Sequence, residues 1–593
     1  MSTESDNAKS TINTFDYVIV GAGPSAIGIL YGLLEEISNA LLAGNHAHTT
    51  NDHLPSFSIA VVERGHGPPH DVATHYPHQW FEAANPNGDS SKSVKLYPSE
   101  IMGRVLKIPV GQGLGGTSNV NACLCLPPLQ QDLKLWPERY RSSLRSNAKY
   151  LKSIMEKNKA IQHTSMGNTH NPFSRKNTIL EFCTKVPTVV ARDETTGKLV
   201  RRNYHDALLE PLLKQHPYLK KYLHLFRGYE AQRLLLKDDS DSDSDSTRVI
   251  GVECISTRND SSSIKYREIY ATRRVILCAG AIESPALLLV SKLGGKDPLL
   301  GVGRHLRDQA LIARVYIKAP LLGGETKSPN GISAIGHLSI ARDDRHHRDG
   351  IFQVAITDSV ADAYIIPPIV AMALRWKCQN SILMELIETI FRFLKAIIYC
   401  AILYTPLGFI IRHLTTTTML SLLHPSSSGS VTISPKKGRT PKKGHPERRR
   451  DVTIQADPKY LDDPRDITAF KSAWDACQRI TSPSSFEIFP RLIFSALKPF
   501  GTKNFWFESY CRCFLFPYYH FSGTCAMISK NDNKDNPNWV VDQHLKLRGH
   551  IGLYVCDASV FPAMVSNPPA LTCAALGYEF ARMILDEDGH KKS

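Results

Sequence analysis

Residues 15–26 read FDYVIVGAGPSA, an apolar run that ends in a glycine turn, and this stretch decides the fold. Tyr17 to Val20 predict a buried strand, Gly21 to Gly23 the turn, and a helix begins near Ser25. Gly21 permits the tight turn, Gly23 lets the main chain approach a pyrophosphate, and Ala26 takes the third small position of the pattern. The helix N-terminus adds free N–H groups and partial positive charge, so the unit is a phosphate cradle. An acidic residue at the end of the next strand completes such a unit by taking ribose hydroxyls. SIAVVERG supplies it as Glu63, after the apolar run Ile59 to Val62. The interval from Ala26 to Glu63 exceeds the roughly 20 residues of a compact unit, and the polar stretch 38–56 accounts for the excess as a surface insertion. Strand, turn, helix, strand and acid in this order predict a bound dinucleotide.

At 593 residues the chain is longer than one core usually serves, so two lobes are expected. Its 42% hydrophobic and 21% charged residues are those of an ordinary globular protein. The opening MSTESDNAKSTINT is polar and lacks the apolar core of a secretory signal. Thirteen cysteines, an odd number with no CxxC pair, favour a reduced, intracellular compartment, and no metal site is inferred from their spacing. The net charge of +15 is scattered. Its densest run, KKGRTPKKGHPERRR at 436–450, is broken by Gly and Pro and carries no aromatic residues. That pattern predicts a solvated loop and no nucleic-acid partner, while contact with acidic lipid headgroups stays open. DDSDSDSDST at 238–247 reads as a charged loop between two strands.

The stretch 365–423 turns apolar, most densely at 381–411. Glu385, Glu388, Arg392 and Lys395 recur at helical spacing, and the charge-free remainder 396–411 contains Pro406 and falls short of the about 20 residues a span needs. Buried helices of a second lobe, peripheral membrane contact and a true span all remain open readings here.

Further motifs follow in order: PVGQGLGGTSNVNA at 109–122, VILCAGAIESPALLLVSKLG at 275–294, LLHPSSSGSVTIS from Leu422, YHFSGTCAM at 519–527, VCDASVFP from Val555 and SNPPALT from Ser566. Gly111, Gly113, Gly115 and Gly116 give a backbone that can lie flat against a planar ring, with Thr117 and Ser118 as donors. Ser284 and Pro285 read as N-cap and N1 of a helix. Together these segments resemble the glucose-methanol-choline (GMC) family of FAD-dependent oxidoreductases, from about Phe15 to Leu585.

The resemblance implies an α/β Rossmann-like FAD-binding domain, with an α+β substrate domain built on an antiparallel sheet. The expected division is a polar tail 1–14, an FAD-binding region 15–318, a mainly substrate region 319–537, a return to the FAD domain at 538–585 and a tail 586–593. Gly116 and Thr117 are implied at the cofactor, Asn121 beside the isoalloxazine and Asp557 on the ribityl and pyrophosphate region. Asn567 and Pro568, read as N-cap and N1 of the last helix, aim its positive end at the flavin. His520 matches the family's base, and Asn567 its second active-site residue, which orients the hydroxyl.

Three departures stand out. ACLCLPP follows Asn121 where the family has Arg-Gly, Asp308-Gln309 stands where it often has Asp-His, and Val120 occupies the position that carries covalent flavin in some members. Non-covalent FAD is therefore expected. The expected reaction is oxidation of a small-molecule alcohol. Phe514, Phe516, Tyr518, Tyr519 and Phe521 around His520 read either as the lining for an apolar one, long-chain or sterol-like, or equally as the packing of a second-lobe core. The motifs specify no electron acceptor. A lyase or a light-driven fatty-acid decarboxylase on this scaffold, and a non-catalytic membrane-associated flavoprotein, are the competing readings.

Overall fold

The computed structural model describes residues 13–588 apart from 46–56, 67–74, 78–79, 81–93, 102–103, 164–179, 184–185, 239–246, 258–265, 294–298, 318–331, 341–349, 358–414, 437–446, 481–485, 490–502 and 531–535. The first strand, Thr14–Val20, lies inside an eight-stranded sheet, parallel to Ile59–Glu63 on one side and to Tyr266–Leu277 on the other. Val18 pairs with Ala60 and with Val275. The run is apolar because both faces of a parallel sheet are covered, and Tyr17, Val18, Ile19 and Val20 are all buried.

Leu223–Arg227 continues the sheet in parallel beyond Ile59–Glu63, while Tyr229–Asp238 and Thr247–Ser256 extend the opposite edge antiparallel. Residues 239–246 of the acidic tract fall between these two strands and outside the described residues. The chain returns late to the same sheet, as Leu553–Val555 pairs in parallel with Tyr266–Leu277.

The helix after the first turn spans Pro24–Asn45. This corrects the insertion expected from Ser38: the helix runs past it, and Ser38 is buried. Its apolar length is enough, by composition, to cross a membrane. Here that length is used in the core, where Ile27, Ile29, Leu33 and Leu34 are fully buried. It crosses the last helix, Ala570–Glu587, at backbone contact. A Cβ on Gly28 would lie 2.0 Å from the Ala574 carbonyl oxygen, and one on Gly577 2.0 Å from that of Ser25.

The second sheet has seven strands in the order Phe486–Phe489, Ala310–Ile317, Thr415–Leu422, Gly350–Thr357, Ile332–Ile340 and Leu180–Cys183, with Phe516–Pro517 also pairing with Ala310–Ile317. All its pairings are antiparallel. Phe352 packs edge-on against Phe470 of the helix Pro464–Ile480, and Trp474 of that helix against Phe507 and Tyr510. The expected division at 318/319 is corrected: Leu180–Cys183 and Ala310–Ile317 precede it and belong to this second sheet. Thr415–Leu422 is the end of the apolar stretch, whose denser part, 381–411, lies outside the described residues.

The basic run 436–450 also departs from the solvated loop expected. Residues 437–446 lie outside the described set, but its end is docked. Arg448 grips Glu253 through Nε and Nη2 at 2.5 and 3.2 Å, and its guanidinium covers the Tyr266 ring at 4.4 Å. Arg449 is buried on Glu283, and Arg450 lies over the same Tyr266 ring at 5.2 Å. The carboxylates that hold Arg448 and Arg449 come from distant segments, so local composition carries no trace of them.

Candidate active site

One cavity of about 280 Å³ is lined by Gly21, Gly23, Glu63, Gly116, Thr117, Asn121, His520, Asp557 and Pro568. Segments from both ends of the sequence therefore share a wall. Gly21 has φ 97°, and a Cβ there would meet the Cys278 carbonyl oxygen at 2.6 Å, so this turn accepts only glycine. A Cβ on Gly116 would lie 2.7 Å from Gly23 Cα, which brings the two glycine loops back to back. A Cβ on Gly23 would meet nothing nearer than 3.9 Å and would take up cradle space instead. Ala26 is fully buried in the core behind the cradle.

Glu63 joins three turns. Its Oε1 accepts from the N–H groups of Gly65 and Gly113, both at 2.8 Å, and its Oε2 from Ala22 at 3.0 Å. Burial raises its pKa, against the pull of those donors and of Arg64. The carboxylate expected to take ribose hydroxyls thus also fixes the shape of the cradle. Asn121 accepts the Cys123 N–H at 3.0 Å and the Arg201 guanidinium at 3.2 Å through Oδ1.

Asp557 is equally enclosed. Its Oδ2 accepts from Gly280 N–H at 2.8 Å and Ser284 Oγ at 2.6 Å, and its Oδ1 from Ser559 N–H at 2.8 Å. Burial raises its pKa while these donors lower it. The helix beside it spans Gly280–Val290, which corrects the start expected at Ser284 and Pro285. Pro285 sits inside that helix and has no N–H to give the Ala281 carbonyl one turn earlier. Thr524 Oγ1 donates to that carbonyl instead, at 2.7 Å, and ties the HFSGTC motif to the helix.

The last helix starts at Ala570 with Pro569 as its N-cap, which corrects the N-cap and N1 assignments of Asn567 and Pro568. Both of those residues precede a proline, and a following proline disfavours the helical conformation. Pro568 stands on the cavity wall. Asn567 is not among the described lining residues, and its Nδ2 donates to the Pro127 carbonyl at 2.7 Å. That hydrogen bond engages the donating end of the Asn567 amide.

His520 is held through Asp308 and Gln309. The Asp308 carboxylate accepts the N–H groups of Tyr518 and Tyr519, each at 3.1 Å, that of His520 at 2.6 Å, and the Tyr460 hydroxyl. Gln309 Oε1 lies 2.7 Å from His520 Nδ1, and Gln309 Nε2 donates to the carbonyls of Leu423 and Val565 at 3.2 and 2.8 Å. Burial pushes the His520 pKa down to about 3 and that of Asp308 up to about 7, the latter against its hydrogen-bond donors. The Tyr518 ring lies 4.3 Å from the His520 ring, and its hydroxyl donates to Gln353 at 2.6 Å. In the sequence Asp308 and Gln309 show only as a departure from a pattern; what they hold becomes visible once residues 518–520 are beside them. Trp80, Leu124, Leu311, Ile332, Met419 and Phe516 supply an apolar part of the wall.

A dinucleotide cradle that opens on a histidine and an apolar chamber defines a flavin-dependent oxidoreductase. The family model for GMC oxidoreductases matches residues 15–198 and 210–311 in its N-terminal part and 425–577 in its C-terminal part, and the chain belongs to that family. FAD is its cofactor, and the cradle residues fit it. The chain is 22% identical to a GMC oxidoreductase family protein of Malassezia sympodialis, over 93% of this chain and 89% of that one. It is 23% identical to the versicolorin B synthase of Emericella nidulans, over 96% and 89%. Among solved structures, pyridoxine 4-oxidase from Mesorbium loti superposes with a TM-score of 0.61 at 18% identity, covering 98% of this chain and 100% of that one. A formate oxidase superposes with a TM-score of 0.64 at 16% identity, covering 98% and 99%.

Proposed function

We propose that the protein oxidises an apolar alcohol, with His520 as the base. The observation that carries this reading is His520 on the wall of the cavity that also contains the cradle. FAD, when bound, supplies the hydride acceptor. His520 takes the hydroxyl proton, a contribution of roughly 10²- to 10⁴-fold; burial keeps its imidazole neutral before the step and opposes the charge it gains in it. The apolar wall from Leu311, Ile332, Met419 and Phe516 supports a long-chain or sterol-like substrate. Val120, buried and without a nucleophilic atom, supports non-covalent FAD. Intracellular location and peripheral membrane contact rest on the sequence alone.

The test is anaerobic addition of 1-dodecanol, benzyl alcohol or cholesterol to the purified holoprotein while the flavin band is recorded. Bleaching by one class supports the reading and names the substrate type. A second reading is lyase chemistry on the same scaffold; one relative is named a synthase and not an oxidase. A bound flavin that no alcohol bleaches favours that reading or a photodecarboxylase, and illumination with a fatty acid separates the two.

A further inference from the structure

We infer that Gln309 is a positioning residue that holds His520 as the Nδ1–H tautomer and leaves the Nε2 lone pair for the alcohol. The inference rests on the proposed role of His520 as base. A side-chain amide has one accepting end and one donating end. Gln309 is fully buried, and its Nε2 faces the carbonyls of Leu423 and Val565 at 3.2 and 2.8 Å. Carbonyl oxygens only accept, so these two partners fix which end of the amide is nitrogen. The other end, Oε1, can then only accept, and His520 Nδ1 at 2.7 Å must be its donor. Neutral imidazole carries a single N–H, so Nε2 is left bare.

Asp308 keeps the ring in place from the main-chain side, through the N–H groups of Tyr518, Tyr519 and His520. In the proposed step the alcohol O–H bond breaks and an Nε2–H bond forms. The O–H electron pair stays on oxygen and becomes part of the carbonyl as the carbinol hydride leaves to FAD. The amide is neutral and takes no proton, so the proton remains on His520.

The first test needs no substrate. In the FAD-bound protein labelled with [15N]histidine, the His520 signals are assigned by their loss in His520→Gln. The expected spectrum has Nδ1 protonated and Nε2 bare, and Gln309→Met converts it to a tautomer mixture. An Nε2-protonated His520 in the unaltered protein overturns the inference. The second test follows anaerobic flavin reduction with 1-dodecanol and benzyl alcohol as probes. Gln309→Met is expected to slow reduction by about 10²-fold with half-saturation unchanged. Gln309→Glu, which retains an acceptor for Nδ1–H but loses both donors, is expected to stay well above Gln309→Met. Equal losses in the two variants mean that Gln309 only braces the Leu423 and Val565 carbonyls, and sink the inference. His520→Ala separates the two claims: if reduction persists there, the base assignment fails, whereas collapse there with Gln309→Met unaffected removes the positioning role alone.

Discussion

Arg449 Nε lies 2.9 Å from Glu283 Oε2, and both residues line the cofactor cavity. The arginine precedes the strand Val452–Asp457, whereas the glutamate belongs to the helix Gly280–Val290. Arg64 reaches the same carboxylate at 2.5 Å, so Glu283 joins the end of the strand Ile59–Glu63 to the segment that leads into Val452–Asp457. Burial works against the Glu283 carboxylate, but Arg449, Lys95 and Arg64 outweigh it and hold its pKa well below the usual range.

Arg449→Ala is expected to destabilise the protein by about 1–3 kcal/mol, because it removes a buried charge-assisted hydrogen bond and leaves Glu283 to Arg64 and Lys95 alone. Thermal unfolding checks the loss, and the ratio of flavin to protein absorbance should fall with it. An unchanged midpoint would remove the arginine from any part in stability.

The pH dependence of stability should carry opposite contributions from His520 and Asp308. His520 has its folded pKa depressed from 6.5 to about 3, so its contribution is full above pH 6.5 and is lost as pH falls toward 3. Asp308 has its folded pKa raised from 3.8 to about 7, so the folded state binds more protons between those values and gains stability as pH falls. His520→Gln removes the first contribution only. Its unfolding midpoint should therefore rise relative to the unaltered protein as pH is lowered from 7 to 5, and parallel curves would contradict this.

Asp557→Ala removes the acceptor of three donors, one part-buried on Gly280 and two buried on Ser284 and Ser559. Each donor left unsatisfied costs about 1–3 kcal/mol. The expected outcome is a protein purified with little FAD and a lowered unfolding midpoint; full flavin content would show that the cradle closes without it.

Gly577→Ala places a methyl group 2.0 Å from the Ser25 carbonyl oxygen and forces the two helices apart. Overpacking of this kind costs about 1–3 kcal/mol. Differential scanning calorimetry should show the lowered midpoint, and Gly28→Ala, which meets the Ala574 carbonyl oxygen at the same 2.0 Å, should lower it similarly. A midpoint that neither variant moves would mean that the helices can part without loss.

The features legible in the sequence are those whose partners are close in sequence or whose pattern is periodic. The run Tyr17 to Val20, the turn at Gly21 and Glu63 at the end of the next strand are of that kind, and the structure brings them together. The docked Arg448 and Arg449 are not legible, because Glu253 and Glu283 lie far away in sequence. Pro285 misleads in a similar way: it looks like a helix start until Thr524 is seen to satisfy the carbonyl it leaves open. At Asn567 the two prolines that follow move the helix start and leave the amide on Pro127.

Because Gly21 and Asp557 share one cavity, the site has an order of assembly in time. A ribosome adding roughly 5–20 residues per second delivers the glycine turn about half a minute to two minutes before the aspartate. Throughout that interval the first strand lacks the wall that closes over its cofactor. FAD capture by the complete site therefore belongs to a chain that has already passed residue 557.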